Sequence, residues 1–65
     1  MAKLNLSPNL PDPDGFYAEL LAAHEGLSDE ESAAFNARLL LILANHIGSR
    51  EVLTEAIVTA SKTAR

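Results

Sequence analysis

The 65-residue sequence contains no cysteine. This absence excludes disulfide bonds and thiolate metal sites, which are the usual stabilisers of small secreted scaffolds. A domain of this length is also close to the size at which a single hydrophobic core is marginal. The chain therefore needs another source of stability, and association with a protein partner is one such source.

Basic residues are also few. Five Lys and Arg stand against nine Asp and Glu, which gives a net charge of −4. Because attraction to phosphate backbones depends on clustered basic side chains, we expect no nucleic-acid partner. A helix-turn-helix fits the second and third predicted helices in outline, but the first turn of the third helix, which would read the bases, carries only Arg50 as a basic residue.

The sequence lacks long apolar segments. No stretch approaches the ~20 apolar residues of a membrane span, and residues 1–8 lack the apolar region of a secretion signal. We therefore expect a bacterial-type cytoplasmic protein that has no membrane partner.

The longest apolar run that is present extends from Leu39 to Ala44. Periodicity within so short a run does not distinguish a strand from a helix, but the flanking residues do. Ser28 and Glu31 have the S-x-x-E spacing of a capping box, and Gly48 is suited to the positive φ that follows a last helical turn. These signals predict a helix from about residue 29 to residue 47.

This helix has two apolar faces at ~100° per residue. One is expected to face the protein's own core and comprises Phe35, Leu39, Leu40, Leu43 and Ile47. The opposite face has an apolar centre between polar ends, which is typical of a helix–helix contact between chains. It is predicted as the partner interface and comprises Arg38, Leu41, Ile42 and Asn45. The alternative is that Leu41 and Ile42 are ordinary exposed aliphatic residues.

Two shorter helices complete an all-α, three-helix arrangement. Asp12 can cap a helix that begins at Pro13, and the pattern predicts its extent as about 13–25. Ser49 can cap a third helix over about 50–61. Prolines before residue 13 disfavour helix, so residues 1–11 are predicted as an extended N-terminal arm, with a frayed terminus as the alternative. Residues 12–65 are predicted as a single small helical domain.

Three polar side chains form a possible polar or ligand site, namely His24, Asn36 and His46. The two histidines lie in different helices without a metal-binding spacing, so a shared site would require the fold or a second chain to bring them together. A hydrogen-bonded structural role for His24 is the competing interpretation. Asn36 is expected to face the first helix and to require hydrogen-bond partners there. The sequence contains no phosphate loop or nucleophile motif, so we assign no catalytic residue, metal or cofactor.

Several blocks go beyond what helical amphipathicity requires, chiefly Asn36-Ala37-Arg38 and Ala44-Asn45-His46-Ile47-Gly48. With Pro8-Asn9-Leu10 and His24-Glu25-Gly26-Leu27-Ser28, they make residues 4 to about 57 resemble a bacterial domain-of-unknown-function family, numbered 2783. The resemblance implies a short, stand-alone helical protein without an assigned activity. It gives no residue a catalytic role.

The sequence therefore favours a small helical interaction protein rather than an enzyme. It either self-associates or acts as an accessory subunit of a larger cytoplasmic enzyme. The alternative is a small-ligand or metal-binding protein that uses His24 and His46.

Overall fold

A computed structural model describes residues 3–64 and contains three α-helices. They are α1 (Pro13–His24), α2 (Asp29–Ile47) and α3 (Arg50–Thr63). No strand is present in residues 3–64. The predicted all-α, three-helix fold is confirmed. Helix α1 ends one residue earlier than expected and α3 continues two residues further, which is within the usual uncertainty of helix ends.

Helix α1 begins at the predicted cap. The Oδ1 atom of Asp12 accepts a hydrogen bond from the Gly15 N–H at 3.1 Å, and Pro13 occupies the first helical position. Asp12 itself has a left-handed backbone, with φ 50° and ψ 61°. A residue before proline is disfavoured in the right-handed helical region, and an aspartate tolerates the left-handed one better than most residues do.

Helix α2 begins and ends as its flanking residues predict. The Glu31 N–H donates to the Ser28 hydroxyl oxygen at 3.1 Å, and the Ser28 N–H donates to the Glu31 carboxylate at 2.9 Å. Both halves of the capping box are therefore formed. The helix ends at Gly48, whose φ of 73° is readily accessible only to glycine. Helix α3 then begins after Ser49, whose hydroxyl accepts from the Val52 N–H at 3.3 Å.

The three helices are loosely assembled. No side chain in residues 3–64 is buried, and the best-covered ones are only half-buried. The radius of gyration is 13.5 Å, whereas a compact domain of this length has a value of about 11 Å. The principal extents of 41 × 26 × 25 Å show the same elongation. Residues 3–64 therefore do not enclose a hydrophobic core of their own.

The predicted core face of α2 is wrong in part. Phe35 and Leu39 are half-buried as expected, but Leu40, Leu43 and Ile47 are exposed. The reason is that α1 and α3 pack on different sides of α2. Helix α1 contacts the side that carries Phe35, and α3 lies beside Ala44, which is half-buried. The three exposed residues lie on the strip between these two contacts.

The segment before α1 contains neither helix nor strand over residues 3–12. It lies against α3, because the Leu4 N–H donates to the Glu55 carboxylate at 3.0 Å and the Leu4 side chain is half-buried. Leu6 and Leu10 are exposed. The division of the chain into an arm over residues 1–11 and a domain over residues 12–65 stays a prediction.

None of the three helices in the described part of the chain combines the length and the apolar character that a membrane crossing requires.

Candidate interaction surface

The centre of α2 presents an exposed apolar surface. Leu40, Leu41 and Ile42 are 67%, 72% and 65% exposed. These residues point to different sides of the helix, since each successive residue is rotated by ~100°. A helix that is apolar around most of its circumference is normally buried within a larger assembly. This part of α2 is therefore the main candidate for a binding surface.

A groove between α2 and α3 adjoins this surface. Its volume is about 710 Å³. We call it the α2–α3 groove, and its lining residues are Leu40, Leu41, Ala44, Arg50, Leu53, Ala56, Ile57, Ala60 and Ser61. The half-buried Ala44 and Ala56 lie deeper than Leu41 and Ile57, which are mostly exposed. Small residues between large aliphatic side chains leave room for a side chain from another helix.

The charge of the groove differs from that of the whole chain. Within residues 3–64, Arg50 is the one charged residue that lines the groove, and no carboxylate lines the groove. Three acidic residues lie instead in the first turn of α2, where the positive end of the helix dipole stabilises negative charge. They are Asp29, Glu30 and Glu31. The groove therefore offers an apolar environment in an otherwise acidic protein.

The structure separates the four residues of the predicted partner interface. All of them are exposed, namely Arg38, Leu41, Ile42 and Asn45. Leu41 lines the α2–α3 groove. Arg38 lines a smaller cleft of about 410 Å³ on another part of α2, together with Phe35 and Glu31. Ile42 and Asn45 line neither of these two cavities. The role of the four residues in binding stays a prediction.

Sequence reasoning missed the contribution of α3 to this surface. Leu53, Ala56, Ile57 and Ala60 follow a helical repeat, and such a pattern is ordinarily assigned to the protein's own core. In the structure Ile57 is 67% exposed, and all four residues line the groove. The sequence feature that could have indicated the groove is the spacing of Ala56 and Ala60, which places two small residues one turn apart beside larger ones.

His24 has a structural role at the end of α1. Its Nδ1 atom is 3.0 Å from the Oγ atom of Ser32, and its ring packs edge-to-face on Phe35 with centroids 4.7 Å apart. The side chain is half-buried. This geometry supports the hydrogen-bonded interpretation of His24, in which the residue joins α1 to α2.

The remaining residues of the possible polar or ligand site are exposed. His46 lies in the last turn of α2, and Asn36 is exposed on the same helix. The exposure of Asn36 does not support the expectation that it faces α1 and requires hydrogen-bond partners there. Residues 3–64 contain no group of three or more His, Asp or Glu side chains arranged to hold a metal ion. The structure does not bring His24 and His46 into such a group.

The fold and this surface define a small all-α protein with an apolar groove on two of its three helices. The chain belongs to the family described as "Protein of unknown function (DUF2783)", whose model matches residues 4–62. The predicted family is thereby confirmed. Neither the curated proteins nor the solved structures contain a match to the chain.

Proposed function

We propose that this protein is an interaction protein whose apolar surface on α2 and α3 is covered by another protein chain in its functional state. The covering chain is either a second copy or a subunit of a larger cytoplasmic enzyme. The proposed role is non-catalytic: the chain contributes a binding surface rather than reacting groups.

The observation that carries this proposal is the exposed area of the chain. A folded monomer of 6.9 kDa exposes about 4,000 Å², whereas this chain exposes 5804 Å². The excess is roughly 1,800 Å² over the whole chain, and the large aliphatic side chains of α2 are among the exposed residues. Monomeric proteins rarely expose continuous apolar patches larger than a few hundred Å², and larger ones mark interaction sites.

The size of the chain supports the same proposal. Burial of apolar area is the dominant favourable term in folding, and no side chain in residues 3–64 is buried. Three helices of this length are marginal in water unless an apolar face is packed. A partner chain that covers the exposed aliphatic residues supplies the missing burial.

The proposal is tested on the purified full chain by light scattering, ANS fluorescence and amide hydrogen exchange. We expect either association or, for a monomer, strong ANS binding with fast amide exchange throughout the helices. The dye binds exposed apolar surface, and helices that are not packed against a partner open readily and exchange their amide hydrogens. A monomer that unfolds cooperatively, exchanges its helical amides slowly and binds no ANS has a self-sufficient fold. That result would overturn the proposal.

The double variant Leu41→Asp/Ile42→Asp locates the surface on α2. We expect it to reduce whichever of the two properties the wild type shows, association or ANS binding. Leu6→Asp/Leu10→Asp is the matched control, because it places the same two charges on exposed leucines that lie before α1. Equal effects of the two changes would show that the central part of α2 is not the binding surface.

A further inference from the structure

We infer that a second copy of this chain occupies the α2–α3 groove, in an antiparallel two-fold dimer whose centre is built from two α2 and two α3 helices. This inference rests on the proposed function and specifies its partner. In the dimer, the exposed aliphatic side chains that border each groove, chiefly Leu41 and Ile57, pack over Ala44 and Ala56 of the other copy.

The area that must be covered matches a permanent dimer. Each chain exposes roughly 1,800 Å² more than a folded monomer of its mass. If two copies covered the whole of this excess in each other, the interface would total roughly 3,600 Å², which lies within the ~2,000–5,000 Å² of obligate homodimers and permanent hetero-complexes. A partner of standard size covers only ~800 Å² on each side and would leave more than half of the excess exposed.

The groove is complementary to itself. A two-fold interface requires one surface to provide both the protruding and the receiving parts, because the same patch is used on both chains. The α2–α3 groove has large exposed side chains at Leu40, Leu41 and Ile57, and small side chains at Ala44 and Ala56. Helix pairs related in this way pack as a four-helix bundle, in which side chains of one pair enter the spaces of the other.

Charge permits two grooves to meet. The chain carries a net charge of −4, so most pairs of its surfaces repel each other. No carboxylate lines the groove, and two such surfaces therefore meet without opposing acidic groups.

The position of Arg50 sets the relative direction of the two chains. Arg50 and Ser61 line the groove eleven residues apart on α3, a separation of roughly 16 Å along the helix. A parallel pairing would place the two Arg50 side chains together inside an apolar interface. An antiparallel pairing places each Arg50 near Ser61 of the other copy, and the like charges are separated.

The first experiment measures mass by sedimentation equilibrium and light scattering over a wide range of concentrations. We expect the wild type to have twice the 6.9 kDa mass of one chain. Leu41→Asp and Ile57→Asp should each weaken the dimer at least ten-fold, because each places a carboxylate in the groove. The controls are Leu6→Asp and Val58→Asp, which change exposed apolar residues that do not line the groove. Both controls should remain dimeric.

The second experiment leaves every apolar residue of the groove intact and so does not depend on variants that lose their fold. The chain has no cysteine, and single cysteines can therefore be placed without background. Arg50→Cys and Ser61→Cys chains are mixed, refolded together and oxidised. The antiparallel dimer predicts that the mixed disulfide exceeds the share that random pairing gives. An excess of Ser61→Cys chains linked to each other, which both retain Arg50, would overturn the antiparallel arrangement.

The outcomes separate this inference from the proposed function. A wild type that is monomeric and binds ANS overturns the second copy as partner and leaves a different protein as the covering chain. A monomer that unfolds cooperatively, exchanges its helical amides slowly and binds no ANS overturns both this inference and the proposed function. A dimer that neither Leu41→Asp nor Ile57→Asp weakens overturns the groove as the interface, whereas weakening by these two and not by the controls supports it.

Discussion

The Nδ1 atom of His24 and the Oγ atom of Ser32 are 3.0 Å apart, and this hydrogen bond joins the last residue of α1 to α2. The His24 ring also contacts Phe35 edge-to-face. Few other contacts hold α1 in place, since no side chain in residues 3–64 is buried. The pairing of these two residues therefore fixes how α1 lies on α2.

Ser32→Ala should lower the free energy of unfolding by about 0.5–1.5 kcal/mol, the usual net value of one hydrogen bond. The measurement is chemical denaturation followed by circular dichroism, at one protein concentration because association shifts apparent stability. Thr54→Ala is the control, since Thr54 is exposed on α3. Equal destabilisation by the two changes would contradict a specific role for the His24–Ser32 bond.

Asp12 should respond differently to alanine and to glycine. Asp12→Ala removes the cap to Gly15 and leaves a Cβ-bearing residue at φ 50°, so a loss of about 1–2 kcal/mol is expected. Asp12→Gly also removes the cap but relieves the left-handed backbone, and it should cost only a few tenths of a kcal/mol. Thermal unfolding of both variants measures the difference. A glycine variant that is as unstable as the alanine variant would show that the backbone conformation contributes nothing.

The capping box of α2 gives a graded prediction. Ser28→Ala should destabilise the protein by about 0.5–2 kcal/mol because the Glu31 N–H loses its acceptor. Glu31→Gln keeps an oxygen acceptor for the Ser28 N–H and should have a smaller effect. Denaturation curves of the two variants show which of the two hydrogen bonds of the capping box contributes more to the free energy of unfolding. The prediction fails if Glu31→Gln is the more damaging change.

Gly48→Ala should destabilise the protein by about 1–2 kcal/mol, because φ at this residue is 73° and a Cβ is disfavoured there. Space is not the cause, since the nearest atom to an added Cβ is the Asn45 carbonyl oxygen at 3.9 Å. Gly48→Asn tests the backbone explanation, because asparagine tolerates this conformation better than alanine does. Thermal unfolding should place the asparagine variant between the wild type and the alanine variant.

Zinc or nickel should leave the imidazole NMR signals of both histidines unmoved. His24 already bonds to Ser32, His46 is exposed on α2, and residues 3–64 provide no cluster of three metal-binding side chains. The titration is read at each imidazole, with His24→Gln and His46→Gln variants to assign the signals. Simultaneous shifts of both signals at stoichiometric metal would instead support the metal-binding alternative.

The helices could be predicted from the sequence because their signals are local. Ser28 with Glu31, Pro13 after Asp12, and Gly48 each act within one turn, and each has its expected effect in the structure. Local capping chemistry does not depend on how the helices pack. The left-handed backbone at Asp12 was the exception, because an N-cap usually has an extended backbone.

The faces of α2 could be predicted only in part, because they depend on where other helices pack. Periodicity grouped Leu39 with Leu40 and Leu43, but it cannot specify which strip α1 covers. Leu41 and Ile42 are exposed, which both interpretations of them require, and their role in binding stays a prediction. The groove itself could not be predicted, since its second side is formed by Ile57 and Leu53, whose spacing resembles that of ordinary core residues.

The connection between α2 and α3 is only two residues long. Helix α2 ends at Ile47 and α3 begins at Arg50, so the backbone angles of Gly48 and Ser49 alone set the opening angle of the two helices. That angle determines how wide the α2–α3 groove is and how large a side chain it admits. Neither Gly48 nor Ser49 lines the groove, so substitutions at these two residues should change its width without altering a residue that lines it.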